Sequence, residues 1–272
     1  MVAYYNENDP KTAKWLRQLI EQKLIADGDV DERDIRDVKA EEIRGYTQHH
    51  FFAGIGGWSY ALRQAGWEDS RPAITGSCPC TPFSSAGKKE GTKSRAHLWP
   101  EMFRLIRGIT DSQNNPTIFG EQVANAESWF DTLQNDLERE DYATGMVVFP
   151  ACGIGAPHLR QRLYWFADRM ADSDSLRRTR VSRSGTAQAE RASKLCETDG
   201  AGPTNGFWEN PDWIWCRDEK WRPTQSGVEP LVDGVSNRMV KLRGYGNAIV
   251  VPQAKEFIQS YMELELFIAK RS

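Results

Sequence analysis

The segment "HHFFAGIGGWSYALRQAG", His49 to Gly66, passes from an apolar strand through a glycine-rich turn into an amphipathic helix, and "AITGS" resumes strand six residues later. A strand-to-helix turn followed at once by another strand commits a chain to layers, with helices covering a sheet. The pattern continues: "LWPEMFRLIRGI" has helical spacing and "TIFGEQV" reads as a strand. A further helix is expected to be capped by Asn125 and to bury Trp129, Phe130, Leu133 and Leu137, before two strands in "TGMVVFP" and "RLYWFAD". Alternation of this kind predicts a parallel sheet with helices on both faces.

Four stretches emerge. Residues 1–46 read as an N-terminal helical extension: Asp9 caps, Pro10 opens the first turn, a helix runs over 9–28, and the acidic linker "DGDVDERDIRDVKAEE" follows. Residues 47–169 read as the main α/β domain. Within 170–235 the alternation breaks; residues 169–195 hold seven Arg or Lys against three acids, and Trp208, Trp213, Trp215 and Trp221 crowd together. The tryptophans suit the core of a small irregular domain better than base-stacking platforms. Residues 236–272 return to the main domain as a helix from about Pro252.

A chain of 272 residues with 39% hydrophobic content can bury a full core. No run reaches the roughly 20 apolar residues of a membrane span, and the opening lacks the marks of a signal peptide, so a cytoplasmic location is expected; a monomer is expected as well. Five cysteines, an odd number, argue for reduced thiols. The spacing of Cys78 and Cys80, with one residue between them, gives no zinc pattern, and no metal is expected. A net charge of -3 leaves room for a local basic patch.

Taken singly, the glycine turn could be a chain reversal and Cys80 an inert buried thiol. In chain order, however, the sequence gives "FAGIGG", "PCTPFS", "GEQV", "APHLRQR" and "GYGNAIVVPQA". This series resembles the DNA (cytosine-5)-methyltransferase family from about Thr47 to the C-terminus, outside the irregular segment. The resemblance implies a reduced Rossmann-like sheet with a small irregular target-recognition domain, and DNA, double-stranded, as partner. It makes Cys80 the nucleophile, Glu121 the acid that engages the target cytosine, and Arg160 and Arg162 the supporting arginines. Pro79, Thr81, Ser84, Ser85, Lys88 and His158 then face the target base and DNA, joined by Arg177, Arg178 and Arg180 from the basic run. Phe52, Gly54, Gly56, Gly57 and Asn247 match the positions that hold S-adenosylmethionine.

The residue types suit the chemistry. A cytosine must leave the duplex to be reached. A Cys80 thiolate can then add to carbon 6 while Glu121 shares a proton with ring nitrogen 3.

The resemblance also implies acidic residues on strands that follow the glycine turn and precede the Pro-Cys loop. Only "WEDSRP" lies between Gly66 and Ala73, too short to hide a strand and a helix, since a βαβ unit takes about 30 residues. The adenosine side of the pocket is therefore expected to be missing. Without a methyl donor, water could attack carbon 4 of the activated ring, expelling ammonia and then the cysteine. The favoured expectation is accordingly a zinc-independent, cofactor-free DNA cytosine deaminase. The alternative is a compact S-adenosylmethionine-dependent methyltransferase. A silent DNA-binding protein that retains only the base-flipping groove stands third.

Overall fold

The computed structural model describes residues 2–79, 98–110, 115–154, 156, 160–169, 212–215, 221–224 and 248–270. Its centre is a seven-stranded sheet in the spatial order β2-β1-β3-β4-β5-β7-β6. The strands are β1 (Ala3–Asn6), β2 (Gly28–Asp31), β3 (Gln48–Phe51), β4 (Ala73–Gly76), β5 (Thr117–Val123), β6 (Tyr142–Phe149) and β7 (Arg162–Arg169). The helices are α1 (Pro10–Glu21), α2 (Ala40–Ile43), α3 (Gly57–Ala65), α4 (Trp99–Ile109), α5 (Glu127–Glu138) and α6 (Val251–Ala269). A separate antiparallel pair, β8 (Asp212–Trp215) and β9 (Trp221–Thr224), sets Trp215 opposite Trp221. No helix among the described residues is long and apolar enough to cross a membrane.

The first 46 residues are not a helical extension. They give the sheet two strands: β1 pairs in parallel with β3, Asn6 opposite Phe51, and β2 pairs in parallel with β1. Their helix α1 starts where expected, with the Asp9 carboxylate accepting from Lys11 N and Thr12 N. It stops at Glu21 because Lys23 turns left-handed, at φ 60°, which lets Leu24 N reach back to Leu19 O. Ile25 is thereby tucked into the core.

The sheet is parallel except at one place. β7 runs antiparallel to both β5 and β6. β6 and β7 are joined without a crossover helix, only the short 3-10 turn Ala151–Ile154, and such a connection can return the chain only in the opposite sense. At α5, the residue at the N-cap is Ala126, with no side-chain cap bond, so Asn125 does not serve as the cap.

Side chains alternate across the strands and sort the helices. Tyr5, His50, Thr75 and Phe119 lie in register on one face, and Tyr4, Phe51, Ile74 and Ile118 belong to the other. On the second face pack α2, α4 and α5 through Ile43, Met102, Leu105, Ile106, Leu133 and Leu137. On the first face lies α1, with Leu16 and Leu19 against Tyr5. There too lies α3, whose Ser59 meets Tyr5 Oη at 3.0 Å and whose Trp58 and Leu62 cluster with Phe119 and α6.

This sorting exposes an unusual connection. From β1 to β2 the chain steps one way along the sheet with α1 on the first face; from β2 to β3 and from β4 to β5 it steps the other way with α2 and α4 on the second face. Those three crossovers share one hand, the right-handed one that nearly all such units adopt. The step from β3 to β4 goes the same way as α2 and α4, yet α3 stays on the face of α1. The β3-α3-β4 crossover is therefore left-handed.

Two buried histidines sit in β3 beneath the glycine turn. His50 Nδ1 lies 2.8 Å from Thr75 Oγ1 and its ring stacks on Tyr5 at 4.8 Å, while His49 Nε2 lies 2.8 Å from Ile43 O. Burial pushes His49 down to about 4; burial, with the charge of His49 adding to it, pushes His50 down to about 3. Both are neutral in the folded protein and take up protons on unfolding below their ordinary value of about 6.5. Stability is thus complete above about pH 6.5 and is lost as pH falls toward 4, with a limiting slope of about 2.7 kcal/mol per pH unit for two protons. Urea unfolding followed from pH 7.5 to 4.5 should show this fall, and His50→Gln should flatten it. A midpoint independent of pH in that range would contradict the assignment.

Candidate functional site

Parallel strands place their carboxyl ends along one edge, and open α/β sheets bind ligands outside that edge. Here it gathers Glu7 after β1, Asp31 at the end of β2, the turn 52–56 after β3, Ser77 to Pro79 after β4, and Glu121 in the last half of β5. β7 runs the other way, so its first residue, Arg162, reaches the same edge.

Glu121 is the best defined acid. Its side chain is 11% exposed, and Arg162 Nε donates to its Oε1 at 2.7 Å. Burial raises its carboxyl above the usual carboxylate range; Arg162, Arg160 and the Ser77 hydroxyl oppose that shift without cancelling it. Arg160 acts on Glu121 through its charge while its Nη2 donates to Ala248 O at 2.6 Å. Arg160 precedes β7 and has φ 26°, so strand alternation does not set its direction.

Cys78 and Cys80 part company. Cys78 is buried, its Sγ lies 3.8 Å from Met102 Sδ, and burial pushes its thiol up to about 12. Its carbonyl accepts from Gln122 Nε2 at 3.3 Å, which anchors the root of the Pro-Cys loop to β5. Pro79 is exposed beyond it. Cys80, Thr81, Ser84, Ser85, Lys88, His158, Arg177, Arg178, Arg180 and Asn247 lie outside the described residues. Cys152, in the 3-10 turn after β6, is disulfide-bonded, which departs from the expectation of reduced thiols throughout.

The glycine turn resolves into different tasks. Phe52 has φ 53° and packs at the rim of the core. A Cβ on Gly56, at φ 78°, would press on Ile25, Leu16 and Leu19, so that residue serves packing. Gly57 opens α3 against Ile249. Gly54, at φ 56°, faces open space, since a Cβ there would meet only Phe52 O at 3.9 Å.

The residue that the sequence reading missed is Glu7. Its Oε2 accepts from Gly54 N at 2.9 Å and its Oε1 from Asp9 N at 2.9 Å. Its backbone is held as well: Glu7 N donates to Asp31 O at 3.0 Å, and Ala53 N donates to Asn6 O at 3.0 Å. One strand further out, burial tends to raise the Asp31 carboxyl, but bonds from Arg33 and Tyr4 outweigh it and hold the group below its ordinary range. These two acidic strand ends come before the glycine turn in the chain, Glu7 by more than forty residues and Asp31 by about twenty. The signal available was "YYNEND", a short apolar run ending in acids, masked by the stronger helix that follows.

Residues 68–195 match the family model for C-5 cytosine-specific DNA methylases. Over that segment the chain is similar to the C-5 cytosine-specific DNA methylases. The match opens at Glu68, just past α3, and so leaves out β1, β2 and the glycine turn. The chain is 35% identical over 98 residues to the Type II methyltransferase M1.ScrFI of Lactococcus lactis subsp. cremoris, a stretch covering 34% of this chain and 24% of that protein. It thus spans about a quarter of the length of that curated relative. Among solved structures it resembles the Entamoeba histolytica methyltransferase EhMeth, with TM-score 0.39 and 15% identity over 63% of this chain and 54% of that one. It also resembles the S. pombe Dnmt2 methyltransferase, with TM-score 0.39 and 11% identity over 68% and 57% of the two chains.

Cys78 provides a direct check on which thiol is reactive. A buried thiol pushed up to about 12 has almost no thiolate at pH 8, so Cys78 should stay unmodified when native protein meets iodoacetamide and react only after unfolding. Peptide mass mapping reads this. Rapid native alkylation at Cys78 would contradict the burial described.

Proposed function

We propose that the protein is an S-adenosylmethionine-dependent DNA cytosine-5-methyltransferase whose adenosine-side wall comes from the N-terminal strand pair. The observation that carries this reading is the Glu7 carboxylate against Gly54 N, at the end of a strand paired directly with the glycine-turn strand. The deaminase expectation rested on the absence of such strands. β1 and β2 remove that premise, and with it the reason to expect no cofactor.

The residues present fit the group. Gly54 leaves room beside the turn, and Glu7 offers a carboxylate that can accept from vicinal ribose hydroxyls. When bound, S-adenosylmethionine supplies an electrophilic methyl group for carbon 5 of the target base. The chain's own residues prepare that base. Cys80, as thiolate, adds to carbon 6 of a flipped cytosine. Glu121, whose carboxyl burial raises above the usual carboxylate range, shares a proton with nitrogen 3, and the electron pair displaced from the ring makes carbon 5 nucleophilic. Arg162 fixes the carboxyl by its bond to Oε1 and limits how far burial can neutralise it. Loss of the carbon 5 proton to a base then lets Cys80 leave carbon 6, Glu121 recovers the nitrogen 3 proton, and the ring regains its aromaticity.

Two measurements test this. In calorimetry, S-adenosylmethionine should bind, and Glu7→Ala should weaken binding by about tenfold or more, the scale of a lost hydrogen bond to a charged group. On a cytosine-containing duplex, base mass analysis should show 5-methylcytosine only with the donor, and Cys80→Ala should abolish it. Donor-independent uracil, with no binding of S-adenosylmethionine, would restore the deaminase.

A further inference from the structure

Within that reading, the role of Trp58 and Ser77 can be taken further. Trp58 lies in the first turn of α3, directly after the glycine turn, and is buried. Its Nε1 donates to Ser77 Oγ at 3.0 Å. Its ring is held by Phe119, stacked at 6.4 Å, and by Tyr164, edge-on at 6.1 Å, so the indole has a fixed direction. Ser77 is the first residue beyond β4 and the third before Cys80. In the parallel register Gly76 lies opposite Gly120, which sets Ser77 beside Glu121.

The chemistry of a hydroxyl then settles directions. Ser77 Oγ accepts from the indole, which can only donate, so the Ser77 proton is left to point elsewhere. The neighbouring acceptor is the Glu121 carboxyl, whose other partner, Arg162 Nε, takes Oε1. We propose that Ser77, oriented by Trp58, is a positioning residue for Glu121 that ties the acid to the helix of the glycine turn. The groups facing Glu121 are Arg162 and Tyr164 on β7, Arg160 just before it, and Ser77 on the β4 side. Of these, Ser77 is also hydrogen-bonded to α3, through Trp58. The link would let the glycine-turn side of the site and the acid that activates the base hold a common geometry.

The test is a double-mutant cycle with Trp58→Phe and Ser77→Ala. Trp58→Phe keeps an aromatic ring and removes the donor together with part of the indole's bulk; Ser77→Ala removes the hydroxyl; Ser77→Thr restores it. Single-turnover methyl transfer should fall by about tenfold in each of the first two, no further in the double variant, and recover in Ser77→Thr. The KM for DNA should stay within about twofold. A second readout needs neither substrate nor donor. With carboxyl-labelled glutamate, NMR titration should show the Glu121 carboxyl rising further in Ser77→Ala and in Trp58→Phe, because each loses the oriented donor to the ionised form. The alkaline limb of kcat should move up in step. Additive losses in the cycle, or a Glu121 titration unchanged in Ser77→Ala, would overturn the proposal. Because the titration is read on the free protein, it can stand or fall even where methyl transfer is not found.

Discussion

The parallel pairing of Ala3–Asn6 with Gln48–Phe51 is the constraint on which the rest of the site depends. It places the end of β1 beside the glycine turn, so the Glu7 carboxylate meets the Gly54 amide and the turn gains an acidic neighbour. Without that pairing β3 would be an edge strand, its buried histidines open to water and its turn unsupported. The core reflects the same dependence: Trp15, Leu16 and Leu19 of α1 join Tyr5 and Ala53 in one apolar cluster that also closes around Gly56. The strands on that side of β3 thus precede it in the chain, an order in which β1 and β2 come first.

That altered order has a cost, visible at α3. With the strands beyond β3 already in place from the N-terminus, the chain leaving α3 must turn toward β4, and does so with the rare left hand. Packing offsets this. Trp58, Ala61, Leu62 and Ala65 bury against Phe119, Tyr164 and the α6 residues Ala254, Phe257, Ile258 and Tyr261. At about 1.5–3 kcal/mol for each large apolar side chain, such a cluster outweighs an awkward connection. The short return is also pinned: Arg63 forms a two-point bond with Asp69, and Arg71 lies over Trp67 while reaching Glu265 on α6.

Much of the core was legible because its elements carry strong periodicity. The strands around "FAGIGG", "AITGS" and "TIFGEQV", and the helices beginning near Pro10, Gly57 and Val251, follow from spacing and punctuation. β1 and β2 were not legible for physical reasons. "AYYN" is four residues, too short to show alternation, and "GDVD" is half acidic because it forms the sheet edge, where exposed charge is tolerated. The six-residue gap after Gly66 was read correctly as containing no strand. The error was to equate neighbours in sequence with neighbours in space. Glu121 and Arg162 could be named from motif order, but their 2.7 Å contact depends on β7 running antiparallel, which no local pattern encodes.

The electrostatics of Glu121 show why that antiparallel strand matters to chemistry. A carboxyl in a dry site drifts toward its neutral form, whereas one clamped by two arginines in water would be fully ionised. Either extreme defeats proton sharing: a fixed neutral acid cannot release its proton, and a fixed anion has none to share. Here burial dominates and the arginines oppose it only in part, so both protonation states stay within reach. Because β7 enters the sheet from the carboxyl edge, it delivers Arg162 at its first residue and sets Tyr164 opposite Glu121. Had β7 run parallel to β5, its first residue would lie at the far edge, and the acid would face burial without the opposing charge that tunes it.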